Sequence, residues 1–259
     1  MIVADLILPG HWLTKDPAWS HETAHEVYNV LIALRSELDD CAASLALYDR
    51  SRAVGGLRPD WTARGEIERR RLHEEALRAL GLQLDRDEMR LRVITDLRRA
   101  DWKTGKAPQI YERRFQFLHA ESFVHHLDMF VKFLKKLRIV AITHDRAIKS
   151  IIDTLEASIG NDAKSVRDSI QHKDERVLGK GRHGALPLQP INSHGIQAAA
   201  GGVLVIGCLF GDRLAYTAED GELKSAEVSA PTLLALQEAA QAAHDAFTWT
   251  GGATYHPHH

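Results

Sequence analysis

Residues 165–176 read SVRDSIQHKDER, and within them Arg167, Asp168 and His172 are the residue types that could move a proton and hold a phosphate. RNA can be cut without a metal when its own 2′-hydroxyl attacks the adjacent phosphorus. The protein must then exchange protons near neutral pH and stabilise charge on the phosphoryl oxygens. Histidine suits the first task because its pKa lies in that range. Arginine suits the second, with a permanent charge and a planar fork that matches phosphate oxygens.

On an ideal helix Arg167 and His172 lie roughly 140° apart, whereas Asp168 and His172, four residues apart, share a face. This spacing predicts that Asp168 orients the imidazole and favours its charged form. Arg167 would then meet the histidine around the helix, or across a symmetric dimer that shares one composite site. Between Lys164 and Arg182 the chain has six basic residues against three acids. Lys173, Arg176, Lys180 and Arg182 are therefore candidate contacts to phosphate or RNA. GKGRHG (179–184) could wrap backbone amides around an anion, although it lacks the spacing of a Walker loop.

Arg167, Asp168 and His172 together resemble the signature of the HEPN family: an arginine, a polar residue, and a histidine four to six residues on from the arginine. Of the arginines followed by a histidine at this spacing, only Arg167 has an immediate polar, non-basic follower. FVHHLDMFVKFLKKL and RAIKSIIDTLEASI precede the motif as the hydrophobic helices of that family's bundle do, so the resemblance spans about residues 109–180. It implies a helical bundle, often dimeric, in which active members are metal-independent endoribonucleases. Their usual settings are toxin–antitoxin and antiphage defence systems, so an antitoxin or other protein partner is implied too. In that case Arg167, Asp168 and His172 are catalytic. Other members have lost the activity and serve as binding or scaffold modules.

A rival chemistry sits near the N-terminus. HETAH (21–25) fits H-E-x-x-H, which on a helix puts His21 and His25 on one face to bind zinc and leaves Glu22 to activate a bound water. Against it, the motif opens a helix directly after Ser20, and no third ligand follows at short spacing. Glu22 and Glu26 equally suit a polar first turn, where acids meet the positive end of the helix dipole. The pair His125-His126 with His119 and Asp128 forms a weaker metal possibility on an apolar helix, where histidines more often sit at the margin or hydrogen-bonded inside.

The elements that must position these residues follow from periodicity. Val27, Leu31, Leu34, Leu38, Cys41, Leu45 and Tyr48 predict a helix from Ser20 to about Arg50, broken by Gly55, Gly56 and Pro59. Ten arginines and eight acids between Arg64 and Arg99 predict a solvated helical pair divided at Gly81. A third helix, about 109–137, carries Phe123, Leu127, Phe130, Leu134 and Leu137 in one stripe. A fourth carries Ile148, Ile152 and Leu155, closed by Gly160 and Asn161. Then VLVIGCLF, RLAYT and ELKSAEV predict three short strands joined by tight turns, and a last helix follows Pro231.

The expected fold is thus mostly α, a HEPN-like helical bundle with a small C-terminal antiparallel β-meander and a closing helix. Its expected parts are an N-terminal helical region (1–105), the bundle core (106–185), and the meander with its helix (186–259). The His-rich ending YHPHH reads as an appended or frayed tail. A charge of −2, from 33 basic and 35 acidic residues, argues against a surface coated in positive charge for long nucleic acids but not against a local basic site. Two unspaced cysteines exclude a disulfide framework and predict a reducing, cytoplasmic setting. No apolar run is long enough for a membrane span, and the N-terminus lacks a signal-peptide pattern.

Overall fold

Ser20 begins the first helix as predicted: its Oγ accepts the backbone N–H of Thr23 at 3.0 Å, which satisfies one of the orphan donors of the first turn. The computed structural model describes residues 3–55, 63–105, 108–160, 162–193, 196–198 and 201–257. The breaks anticipated at Gly56, Pro59 and Asn161 lie outside the described residues. The chain groups into two units, residues 1–48 with 117–259, and residues 49–116. Residues 1–48, expected in a separate N-terminal region, therefore belong with the bundle.

In the larger unit, helix α1 (His21–Gly55) as far as Tyr48 and helix α4 (Gln109–Val140) from Phe117 supply the centre of the core. Leu34, Leu38 and Cys41 of α1 and Phe123, Phe130 and Leu134 of α4 are all fully buried. Helix α5 (Asp145–Ile159) buries Ile148, Ile152 and Leu155 as its periodicity requires, and Gly160 (φ 74°) ends it in a backbone conformation that disfavours a side chain. The smaller unit is a helical pair, α2 (Ala63–Ala79) and α3 (Arg86–Lys103), around Leu77, Met89 and Val93. Several of its arginines pair with its own acids, among them Arg71 with Glu68 and Glu75, and Arg92 with Asp96. Gly81 (φ 81°) divides the pair. Asp85 caps α3 with the reciprocal Glu88 contact of a capping box.

The motif stretch is not one helix. Helix α6 (Asp162–Gln171) stops one residue short of His172, and a single turn, α7 (Lys173–Val177), follows. Helix α6 lies on the predicted meander, whose strands β7 (Cys208–Phe210), β8 (Arg213–Thr217) and β9 (Leu223–Glu227) are antiparallel in the order β7-β8-β9. The apolar residues 203–206 predicted as part of the first strand lie outside it. Ser169 fixes α6 to the sheet: it is 1% exposed and its hydroxyl is shared between the carbonyls of Ser165 (2.9 Å) and Thr217 (3.1 Å). Helix α8 (Ala230–Asp245), with Ser229 as its cap and Pro231 in its first turn, closes the unit against α5.

Four short strands unforeseen in the sequence join the chain ends. Strand β1 (Leu6–Leu8) pairs with β11 (Thr254–His256), and β2 (Trp12–Leu13) with β10 (Trp249–Thr250). The side-chain amide of Gln241 on α8 imitates a neighbouring strand, accepting from Ile7 N at 2.9 Å and donating to Ile7 O at 2.8 Å. His256 Nε2 lies 2.9 Å from Asp39. The His-rich ending, as far as His256, is thus part of the fold and not a frayed tail. Between motif and meander are two further pairs, β3 (Lys180–Gly181) with β4 (Gly184–Ala185), and β5 (Ile191–Ser193) with β6 (Ile196–Ala198). Among the described residues no helix is long and apolar enough to cross a membrane.

Candidate functional site

Helix α6 turns Ala163, Val166 and Ser169 inward, which leaves Arg167 and Asp168 at the rim of a cavity of about 490 Å³. His172 lines the same cavity, joined by Glu175 and Arg176 of α7, Arg182 and His183 of the β3–β4 turn, and Glu219. The helix is interrupted only at His172 itself (φ −102°, ψ 33°), whose N–H still donates to Asp168 O at 3.0 Å, and Arg167 and His172 nevertheless both line the cavity. Both therefore reach one concavity within a single chain. Of the sequence candidates, Arg167, Asp168, His172, Arg176 and Arg182 meet there; Lys173 and Lys180 do not line it.

Arg167 is held firmly. Its side chain is 12% exposed, and Nε donates to Asp128 Oδ2 at 2.8 Å. Its Nη1 lies 3.0 Å from Asp168 and also donates to the Gln171 side chain. Asp128, 5% exposed on α4, takes a second cation from Lys132 at 2.8 Å. Arg167 Nη2 has no partner among the described residues, so donors remain for a ligand. Asp128, weighed in the sequence only as a metal ligand, is thus the anchor of Arg167. Its distance of 39 residues from the motif hid it.

Asp168 does not orient the histidine. Its carboxylate is paired with Arg167, and the acid nearest His172 is Glu175, with 3.8 Å between Oε2 and Nδ1. The reason is a competing partner: Asp168 is drawn to the adjacent guanidinium, whose charge is permanent. His172 is 48% exposed and accessible from the cavity side.

Arg176, expected to meet phosphate, is 3% exposed and committed elsewhere. Its Nη1 donates to Lys180 O at 2.9 Å and its Nη2 to Glu219 Oε2 at 2.5 Å, while Nε is buried without a partner. Glu219 Oε1 in turn accepts the Arg182 backbone N–H at 2.6 Å. Burial pushes the Glu219 carboxyl up, but the Arg176 and Arg182 hydrogen bonds and the nearby charges of Arg176 and His183 outweigh it and hold the pKa below its usual value. Lys173 faces Glu121 at 3.8 Å, and Lys180 contributes its carbonyl to Arg176. Of the four basic residues expected to bind phosphate, Arg182 alone brings its side chain to the cavity without such a commitment among the described residues.

His21, Glu22 and His25 stand exposed on the first turn of α1, and no third ligand converges on them among the described residues. The group whose ligand atoms do converge is Glu37, Asp40 and His126. There His126 Nδ1 is hydrogen-bonded to Glu37 at 2.7 Å and lies 3.7 Å from Asp40, too far for a second hydrogen bond. Cys41 is buried, its thiol raised well above the ordinary value by burial and by Glu37 and Asp40. It and Cys208 are not bonded to each other. No family model, curated protein or solved structure matches the chain.

Proposed function

We propose that the protein is a metal-independent endoribonuclease of HEPN-like character, acting at the cavity lined by Arg167 and His172. The carrying observation is the convergence of a partly buried, anchored guanidinium and a solvent-accessible imidazole on one concavity large enough for about one nucleotide. His172 exchanges a proton with the substrate, and Arg167 binds the phosphoryl oxygens, held in place by Asp128 so that little reorganisation is needed on binding. Asp168 braces Arg167, and Arg182 offers a further cation to the RNA backbone. The site needs no metal, because proton transfer and charge stabilisation are both supplied by side chains. A cytoplasmic setting, a homodimer that places two such cavities together and an antitoxin-like protein partner, as in defence systems, complete the reading.

A second reading has its own support. Arg167 is engaged by Asp128, Asp168 and Gln171, as a purely structural arginine would be. On that reading the protein is a catalytically silent module that acts through protein partners. Incubation of the protein with single-stranded RNA in EDTA separates the two. Cleavage that disappears in His172→Ala supports the ribonuclease; an inert wild type at high enzyme concentration rejects it in favour of the binding module.

A further inference from the structure

In-line attack of a 2′-hydroxyl needs a group to take the 2′ proton and another to give one to the departing 5′-oxygen. A symmetric dimer could supply both from two copies of His172. The cavity of one chain, however, holds a second histidine, His183, which the motif spacing does not include. We infer that His183 is the second proton-transfer group of this cavity, working with His172 of the same chain. The inference rests on the ribonuclease reading above.

The way His183 is held is the main reason. It sits on the two-residue turn Arg182-His183 between β3 and β4. Such a Gly-rich excursion would otherwise be a surface hairpin of little rigidity. Here its backbone is held before the turn and at its first residue, where Lys180 O accepts from Arg176 and Arg182 N donates to Glu219, and Leu186 N donates to Gly179 O at 2.9 Å beyond it. The clamp is a guanidinium that is 3% exposed, with one donor left unpaired, an expensive arrangement by the usual cost of burying charge. Space is reserved for it as well. A Cβ on Gly181 would lie 2.5 Å from Glu219 Oε1, closer than real contacts allow. Arg176 and Glu219 are thus positioning residues, and the exposed side chain they position is an imidazole facing the cavity that His172 faces.

In the reaction, one histidine accepts the 2′-OH proton as the 2′-O–P bond forms. The other donates its proton to the 5′-oxygen as the P–O5′ bond breaks. The products are a 2′,3′-cyclic phosphate and a 5′-hydroxyl, so atoms, protons and charge balance without a co-reactant. The charged groups around the pair are Arg167, Asp168 and Glu175 near His172, and Arg176, Lys180, Arg182 and Glu219 near His183.

The test is cleavage of a labelled single-stranded RNA oligonucleotide in EDTA by the full chain, across pH. A matched oligonucleotide carries sulfur in place of the bridging 5′-oxygen, which leaves without protonation. Loss of either proton-transfer group is expected to lower kcat by about 10²–10⁴-fold. Wild type should show a bell-shaped profile, and His172→Ala and His183→Ala should each lose a different limb. The sulfur substrate should restore the rate of one variant, the one lacking the acid, and not the other. Gly181→Ala, which displaces the clamp, should lower kcat while both limbs persist. A wild type that cannot cut RNA, or a fully active His172→Ala, sinks the ribonuclease reading and this inference with it. Cleavage that depends on His172 but survives intact in His183→Ala overturns the inference alone, as does rescue of both variants or of neither.

Discussion

Replacing Arg167 by alanine should unfold the protein more easily as well as silence it, and the two effects can be separated. The substitution leaves Asp128, whose side chain is 5% exposed, with only Lys132 beside it. Removing one member of a buried ion pair costs about 3–5 kcal/mol. Lys132 still neutralises the carboxylate and is itself 44% exposed, so the loss should fall at about 2–3 kcal/mol, nearer the cost of an unsatisfied buried acceptor. With a urea m-value of about 2–3 kcal/mol/M, the midpoint should move down by about 1 M. Asp128→Ala should cost somewhat less, because Arg167 keeps Asp168 and Gln171 as partners. The double variant should be less unstable than the sum, with a coupling energy of about 1–3 kcal/mol. If the two losses simply add, Arg167 and Asp128 do not act as a pair, and the account of how the guanidinium is anchored is wrong.

His172→Ala should behave oppositely: the side chain is half exposed with one acid at 3.8 Å, so the urea midpoint should change by no more than the ~0.5 kcal/mol of a surface substitution while RNA cleavage is lost. His244 is 3% exposed, and burial, the largest cause, lowers its pKa below the ordinary 6.5. The unfolded chain then binds the proton more readily, so stability is full above about pH 6.5 and falls as the solution is acidified through the window below it; His244→Gln should flatten that slope in urea titrations at stepped pH. In the smaller unit, Arg69 makes a bidentate pair with Asp101, which is 7% exposed. Arg69→Ala should therefore lower the melting of α2 and α3, by about 1–3 kcal/mol in a denaturation of the chain. His21→Ala and His25→Ala, on an exposed turn, should leave both the zinc content of purified protein and its stability unchanged; stoichiometric zinc lost in either variant would revive the metallohydrolase chemistry.

The elements whose evidence is local were legible in the residues alone. Periodic burial drew α1, α4 and α5, because an amphipathic helix must hide its stripe whatever it packs against. Mixed charge drew the α2–α3 pair, and turn chemistry drew β7, β8 and β9. The spacing of Arg167 and His172 also singled out two residues that line one cavity. It gave the wrong partner for Asp168, since the competition of Arg167 for that carboxylate carries no periodic signal. The terminal strands were hidden for a similar reason: two or three residues are too short for an alternation, and β1 and β11 lie at opposite ends of the chain.

Composition and periodicity by themselves determined a mostly helical chain with a β-meander, because hydrophobic burial repeats with the pitch of each element. Only the tertiary structure decided which charges are free and which are spent. Asp128 braces Arg167 from 39 residues away, Glu219 takes Arg176 out of reach of a ligand, and His183 comes to face the cavity of His172. The partner of a charge is set by distance in space, where Coulomb attraction and desolvation act, and distance along the chain does not encode it.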